Sequence, residues 1–191
     1  MKVQAPWHDV LAEPLTREHL VQVYEDLEAL RVAFSLFAGV GIGKGDAVVA
    51  VVTPEHAEAF RDTLHDDGFD PYGLQQWGQL RFVDATTLMH RFMRSGSPNG
   101  PLFLSAAELL VREAEERSHT GRVRLYGEMV NLLWREWNIR GAASLEGLWN
   151  EVIQLHRAAL FCAYEVQPEA PPLPHSLAQL HSHFIPVSAC C

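Results

Sequence analysis

With 191 residues, 48% of them hydrophobic and 20% charged, the chain has the composition of a globular protein that can bury a real core, as one domain or one domain with a short tail. Its formal charge of −9, from 15 basic against 24 acidic residues, comes without any basic run or stripe, which argues against nucleic-acid binding by this chain alone. The opening MKVQAPWHDVLAEP has no apolar h-region, and no apolar run approaches the roughly 18 residues of a membrane span, so neither a signal peptide nor a membrane segment is expected and the default compartment is the cytoplasm.

Residues 1–18 show little periodicity and read as a lead-in. His19–Tyr24 reads as a first strand closed by Glu25-Asp26, followed by a helix with Leu27, Leu30, Phe34 and Phe37 on one face. That helix ends in GVGIGKGD (39–46), whose glycines would supply the C-cap and turn. The run is not a phosphate loop. Gly39 to Lys44 is one residue short of GxxxxGK, Gly45 stands where a magnesium-binding hydroxyl is needed, and the run follows a helix instead of a strand.

Asp46 to Thr53, DAVVAVVT, is unbroken in apolar character and suggests a central parallel strand covered on both faces. Thr53-Pro-Glu-His is a helix start, with Thr as N-cap, Pro at the first position and an acid in the first turn. The helix carries Ala57, Phe60 and Leu64 inward and ends near Gly68. Residues 69–78 read as a loop or short helix, and 80–84 as a third strand whose Asp84 is placed to cap a helix over 86–94. SGSPNGP (95–101) is a surface loop leading to a long helix over about 102–117, with Glu108, Arg112, Glu115 and Glu116 outward.

The stretch RVRLYGEMVNLLWREWN (122–138) joins a short strand, Gly-Glu and an amphipathic helix. Met129, Leu132, Leu133 and Trp137 form its apolar stripe, and Glu128, Asn131, Arg135 and Asn138 its polar one. After a break at Gly141, a helix over about 143–156 turns Leu145, Leu148, Trp149 and Val152 one way. Residues 158–165 are a final buried strand, followed by the Pro-rich linker QPEAPPLP and a short tail helix over 176–184. Strands alternating with helices in this way predict a three-layer α/β fold: a mostly parallel five-stranded sheet with right-handed connections. The domain spans 19–166, between the lead-in (1–18) and a linker and tail (167–191).

A parallel sheet would collect Tyr24-Glu25, Thr53, Asp84, Gly127-Glu128 and Tyr164-Glu165 at its carboxyl edge, where such folds bind ligands. Helix amides at that edge favour an anionic or polar group, and Tyr24, Tyr126, Trp134 and Trp149 are candidate aromatic walls. The plainer alternative stays open: Thr53 and Asp84 as caps, the aromatics as core. The ligand-binding set expected is Tyr24, Glu25, Thr53, His56, Asp84, Glu128, Trp149 and Asn150.

His175, His181 and His183, with Cys190 and Cys191, have the side chains of metal ligands, but their spacing matches no closed zinc site. A magnesium site built from Glu25, Asp84 and Glu128 has no stronger claim. No metal site is therefore assigned, and the cofactor is left open. Cys162 reads as a small buried hydrophobe, and the terminal cysteine pair as a frayed, reduced tail in preference to a prenylated or oxidised one. Without a GxSxG elbow, and with Cys162 in mid-strand where a thiolate is disfavoured, no catalytic residue is expected.

The pieces HLVQVYED, GDAVVAVVTPEH, WGQLRFVDA, LYGEMVNLLW, LEGLWNEV, FCAYEV and LHSHFIP, taken in order over about residues 17–186, resemble the MEDS domain, the methanogen/methylotroph, DcmR-type sensory domain. The resemblance implies a bacterial or archaeal sensory domain that is a degenerate relative of RecA/KaiC-type P-loop ATPases. On that likeness strand 19–24 stands where the phosphate loop would follow the first strand, and Gly127-Glu128 stands near the Walker B position. No Gly-Lys-Ser/Thr follows the first strand here, so the resemblance does not extend to ATP hydrolysis. It further implies a small organic, hydrocarbon-derived ligand and a signalling partner such as a histidine kinase or transcription regulator. Since only a linker and one helix follow Tyr164, that partner would be a separate protein. No direct nucleic-acid or membrane contact is expected, and a homodimer is compatible with the reading. The alternatives are a ligand-independent interaction scaffold and a divergent nucleotide-binding ATPase.

Overall fold

The computed structural model describes residues 7–166 and 172–185; the expected cysteine tail lies outside them. The chain opens with α1 (Trp7–Ala12), so the lead-in is partly helical, held by its fully buried Leu11. β1 (His19–Tyr24) is followed by α2 (Leu27–Phe34), whose first turn is capped by Asp26 accepting the Ala29 N–H at 2.8 Å. Backbone helix then continues through a π-helical turn, Ser35–Gly39, into α3 (Val40–Lys44). Most of the glycine-rich run is therefore helix; only Gly45, with φ 89°, is the left-handed cap.

The remaining elements are β2 (Ala47–Val52), α4 (Pro54–Asp66), α5 (Pro71–Trp77), β3 (Leu80–Asp84), α6 (Ala85–Phe92), the two-residue strands β4 (Met93–Arg94) and β5 (Ser97–Pro98), α7 (Gly100–Glu115), β6 (Val123–Gly127), α8 (Met129–Arg135), α9 (Ile139–Leu155), β7 (Ala158–Glu165), α10 (His175–Ala178) and β8 (His183–Ile185). Thr53 caps α4 and Asp84 caps α6 as their sequence positions predict.

The central sheet has six parallel strands in the order β3-β2-β6-β7-β1-β8. β2 is buried along its whole length between β3 and β6, as its unbroken apolar run requires. The sixth strand is a correction to the expected five. The segment expected as one tail helix forms only the four-residue α10 and then β8, which pairs Leu20 with His183 and Gln22 with Ile185. An uncovered β1 edge would leave a row of backbone groups without ladder partners, and β8 supplies them.

A second correction concerns 129–138. One continuous helix with Trp137 on its apolar stripe does not form. α8 stops at Arg135, Trp137 takes a φ of 59° and is 59% exposed, and the Asn138 side chain accepts the Gly141 N–H at 2.9 Å to start α9. Asn138 competes for backbone groups and so favours a cap over a helix interior. Trp134 takes the buried place that the stripe assigned to Trp137.

Each face of the sheet has its own core. α6, α7, α8 and α9, with Leu177, cover the face that carries Val21, Val49, Leu125, Cys162 and Tyr164. α1 to α5 cover the face that carries Leu20, Val48, Ala50, Tyr126 and Phe161. The chain therefore leaves β2 and β1 toward the second face and β6 toward the first, and the described segment after β7 packs Leu173 and Leu177 against the first face. At the carboxyl ends of the neighbours β2 and β6 the outgoing chains part to opposite faces, and the described segments that follow the neighbours β7 and β1 also pack on opposite faces; these are two topological switch points, the places where open α/β sheets form crevices.

Candidate functional site at the carboxyl edge

At the β2/β6 switch point the centre is Glu128. Its backbone N–H donates to Val51 O across the strand pair, and its side chain is buried. Oε2 accepts the Thr53 N–H at 2.9 Å and faces the Thr53 hydroxyl at 3.4 Å, while Oε1 lies 2.9 Å from His56 Nδ1. One carboxylate on the β6 side thus holds the first turn of α4, a helix on the opposite face. At the β7/β1 switch point the buried Asn131 does the equivalent: its Nδ2 donates to the Tyr24 hydroxyl at 3.3 Å and its Oδ1 accepts the Glu165 N–H at 3.0 Å. Trp134 donates from Nε1 to Glu165 O at 3.2 Å, and Arg135 pairs with the Glu165 carboxylate at 3.6 Å.

The amides of α2, α4 and α6 that open at this edge are met by the chain's own oxygens, while α8 opens without a side-chain cap. Asp26 caps α2, Thr53 and Glu128 meet α4, and Asp84 caps α6 through Thr87 N–H at 2.6 Å. Protein carboxylates stand where an anionic ligand was expected to dock. Glu25 and Glu55 are exposed beside them and Glu165 is half-buried, so the mouth of the crevice is acidic.

Elsewhere, under β1 and β7 on the α9 side, four ligand-type side chains converge. His19, Glu146, Cys162 and His181 each offer an atom, and these atoms all lie within 4.8 Å of one another. Burial lowers the pKa of His19, and burial with the adjacent Glu146 charge pushes the Cys162 thiol well above its ordinary value.

The family model described as MEDS: MEthanogen/methylotroph, DcmR Sensory domain matches residues 18–182. The chain belongs to the MEDS family. Its family points to a sensory role. A search of curated proteins found no match. Among the described residues of this MEDS domain, no helix is long and apolar enough to cross a membrane.

Of the eight residues expected to bind ligand, the structure brings Thr53, His56 and Glu128 into direct contact and sets Tyr24 and Glu25 at the neighbouring switch point. Asp84 ends β3, next to β2, with its carboxylate used as the α6 cap. Two lie elsewhere. Trp149 is core, its ring edge-on to Phe103 at 4.9 Å. Asn150 sits at the opposite end of β1, where its Oδ1 lies 3.0 Å from His19 Nδ1 and its Nδ2 donates to Leu180 O. The helix period placed both on α9 but carried no information on which end of the sheet α9 crosses. Asn131 was missed as a site residue because it read as part of a solvated stripe, whereas its side chain is buried between the Tyr24 hydroxyl and the Glu165 N–H.

His56 gives this edge a pH dependence. Burial opposes its charge, but the hydrogen bond and charge of Glu128, with Glu55 and Glu165 behind, prevail and raise its pKa. A raised folded-state pKa means the His56–Glu128 pair contributes its full stability below the unfolded value of about 6.5 and loses it as pH rises through the folded value. An NMR titration of the His56 ring should therefore find its midpoint above that of a free histidine. Glu128→Gln should bring it down.

Proposed function

We propose that this MEDS domain is a non-catalytic sensor that binds a small neutral or cationic organic molecule at the two switch points and reports it to a signalling partner, such as a histidine kinase or transcription regulator. The observation that carries this reading is the use of Glu128 as a clasp. It joins β6 and the start of α8, on one face, to Thr53 and His56 at the start of α4, on the other. A ligand that draws Glu128 or His56 to itself loosens α4 from α8, and that is a local change a partner bound on either face can read.

The acidic mouth supports a hydrogen-bond-donating or cationic ligand over a nucleotide. A triphosphate would need free helix amides and positive charge, whereas Asp26, Asp84 and Glu128 already meet the amides of α2, α6 and α4 and line the edge with negative charge. The hydrocarbon-derived compounds associated with the family fit best where they carry an amine, hydroxyl or similar polar end.

A thermal-shift screen tests this. Small one-carbon, amine, alcohol and halogenated compounds form one panel and ATP with magnesium another, because binding to the native state alone raises the melting temperature. The expected result is a rise with a member of the first panel, absent in Glu128→Gln and absent with ATP. A rise with ATP would replace the reading with that of a divergent ATPase, and a stable partner complex indifferent to every compound would replace it with a scaffold. Glu128→Gln by itself should lower stability by about 2 kcal/mol, since it weakens charge-assisted hydrogen bonds. That is roughly 4–8 °C for a chain of this size.

A further inference from the structure

We infer that His19, Glu146, Cys162 and His181 form a binding site for one divalent d-block metal ion, with Zn2+ the best chemical match. The site is separate from the switch-point crevice and does not rest on the sensor reading. Its ligands come from four elements remote in the chain: the start of β1, the middle of α9, the middle of β7 and the turn between α10 and β8.

Hydrogen positions make the first argument. Asn150 Nδ2 donates to Leu180 O, so Asn150 turns its oxygen to His19 Nδ1 at 3.0 Å, and that nitrogen must carry a hydrogen. His181 Nδ1 lies 2.9 Å from Leu177 O, and a carbonyl only accepts, so it too carries its hydrogen there. Both neutral imidazoles therefore aim the Nε2 lone pair inward. There His19 Nε2 meets Glu146 Oε2 at 3.3 Å and His181 Nε2 meets Glu146 Oε1 at 3.2 Å. A single proton on Glu146, or on one imidazole, satisfies one of these contacts and leaves the other with no proton between its two acceptors, relieved at His19 only by the weak Cys162 S–H donor 3.2 Å from Nε2. Protonating both imidazoles satisfies both but places a net positive charge in a dry core, with the two rings 4.1 Å apart; the side chains of His19, Glu146 and His181 are 0–1% exposed.

A divalent ion resolves this. With Cys162 as thiolate and Glu146 as carboxylate its charge is cancelled, and all four lone pairs have a partner. The closest pairs already have the spacing of such a site, within a group whose atoms span up to 4.8 Å. Ligand atoms about 2.0–2.3 Å from a tetrahedral ion stand roughly 3.3–3.7 Å apart. Here His19 Nε2 lies 3.2 Å from Cys162 Sγ, and Cys162 Sγ lies 3.5 Å from Glu146 Oε2. Imidazole, thiolate and carboxylate together suit zinc over magnesium or calcium. An outer layer is in place as well: Asn150 and Leu177 O orient the histidines, and the Tyr164 hydroxyl donates to Glu146 Oε1 at 2.6 Å. Because His181 belongs to the segment that supplies α10 and β8, the ion would fasten that segment to β1, β7 and α9.

The test is a cobalt titration of the full chain after chelator treatment. The chain has three cysteines, so the Cys190→Ser/Cys191→Ser variant leaves Cys162 as the sole thiol. The expected result, in wild type and in that variant alike, is one equivalent of Co2+ bound with a near-ultraviolet thiolate-to-cobalt band and intense visible bands of a tetrahedral ion, both removed by Zn2+. His181→Ala should weaken binding at least tenfold. A folded wild type that takes up no cobalt overturns the proposal. So does a thiolate band that disappears in the Cys190→Ser/Cys191→Ser variant.

Discussion

Gly41→Ala is expected to destabilise the protein by about 3 kcal/mol or more, although it adds a single methyl group. A Cβ at Gly41 would meet Arg124 Nε at 2.4 Å and Cδ at 2.5 Å. Arg124 has nowhere to retreat. Its Nε donates to Asp46 at 2.8 Å, and its Nη1 donates to Phe37 O at 2.8 Å and Ala12 O at 2.9 Å. Arg124 and Asp46 are both buried, so displacing the guanidinium strands a charge on each side. At roughly 2–4 °C per kcal/mol for a chain of this size, the melting temperature should fall by about 6–12 °C. The contact is isolated by a double-mutant cycle, measured by chemical denaturation, with Arg124→Ala, which removes Cδ and Nε. In that background Gly41→Ala should cost well under 1 kcal/mol. An equal cost in both backgrounds would place the penalty in the helix itself and not in the Arg124 contact.

Phe60→Ala is the second large effect, with an expected loss of about 3–5 kcal/mol. Phe60 is fully buried and stacks on Phe34 with centroids 3.8 Å apart and planes within 5°. Tyr126 stands edge-on to both rings, at 5.3 Å from Phe60 and 5.5 Å from Phe34, and Phe161 continues the cluster. The ring also borders His56 at 5.8 Å, so this aromatic layer is the floor of the carboxyl-edge site. Its removal should therefore shift the His56 ring titration as well as the unfolding midpoint. Unfolding that moves while the His56 midpoint stays in place would detach the floor from the site.

These residues also show what was legible in the sequence. The β2 run, the Thr53-Pro cap and the Gly127-Glu128 corner announced themselves because each rests on local chemistry: apolar periodicity, an N-cap oxygen, an acid after a strand. Their coincidence at one edge followed from the parallel sheet. Gly41 was readable as a glycine but not as the floor under Arg124, because that contact joins α3 to β6 across the core. Tail strand β8 was hidden by its three-residue length and by a partner, β1, at the other end of the chain. The His19–Glu146–Cys162–His181 group was hidden for the same reason. His181 stood out among tail histidines with no spacing to recommend them, and its companions come from β1, α9 and β7. Periodicity reports which residues share a face of one element; it does not report which elements meet.

The central claim is that ligand acts at the switch points around Glu128, and chemical-shift mapping tests it most directly. Isotope-labelled protein would be titrated with the compound giving the largest thermal shift. The account predicts that perturbed amides cluster at the carboxyl ends of β1, β2, β6 and β7, on Glu25, Thr53, His56, Glu128, Asn131 and Glu165. Perturbations centred elsewhere, such as the groove between α2 and α4 lined by Arg31, Ser35 and Asp67, with the Glu128 neighbourhood unmoved, would contradict it.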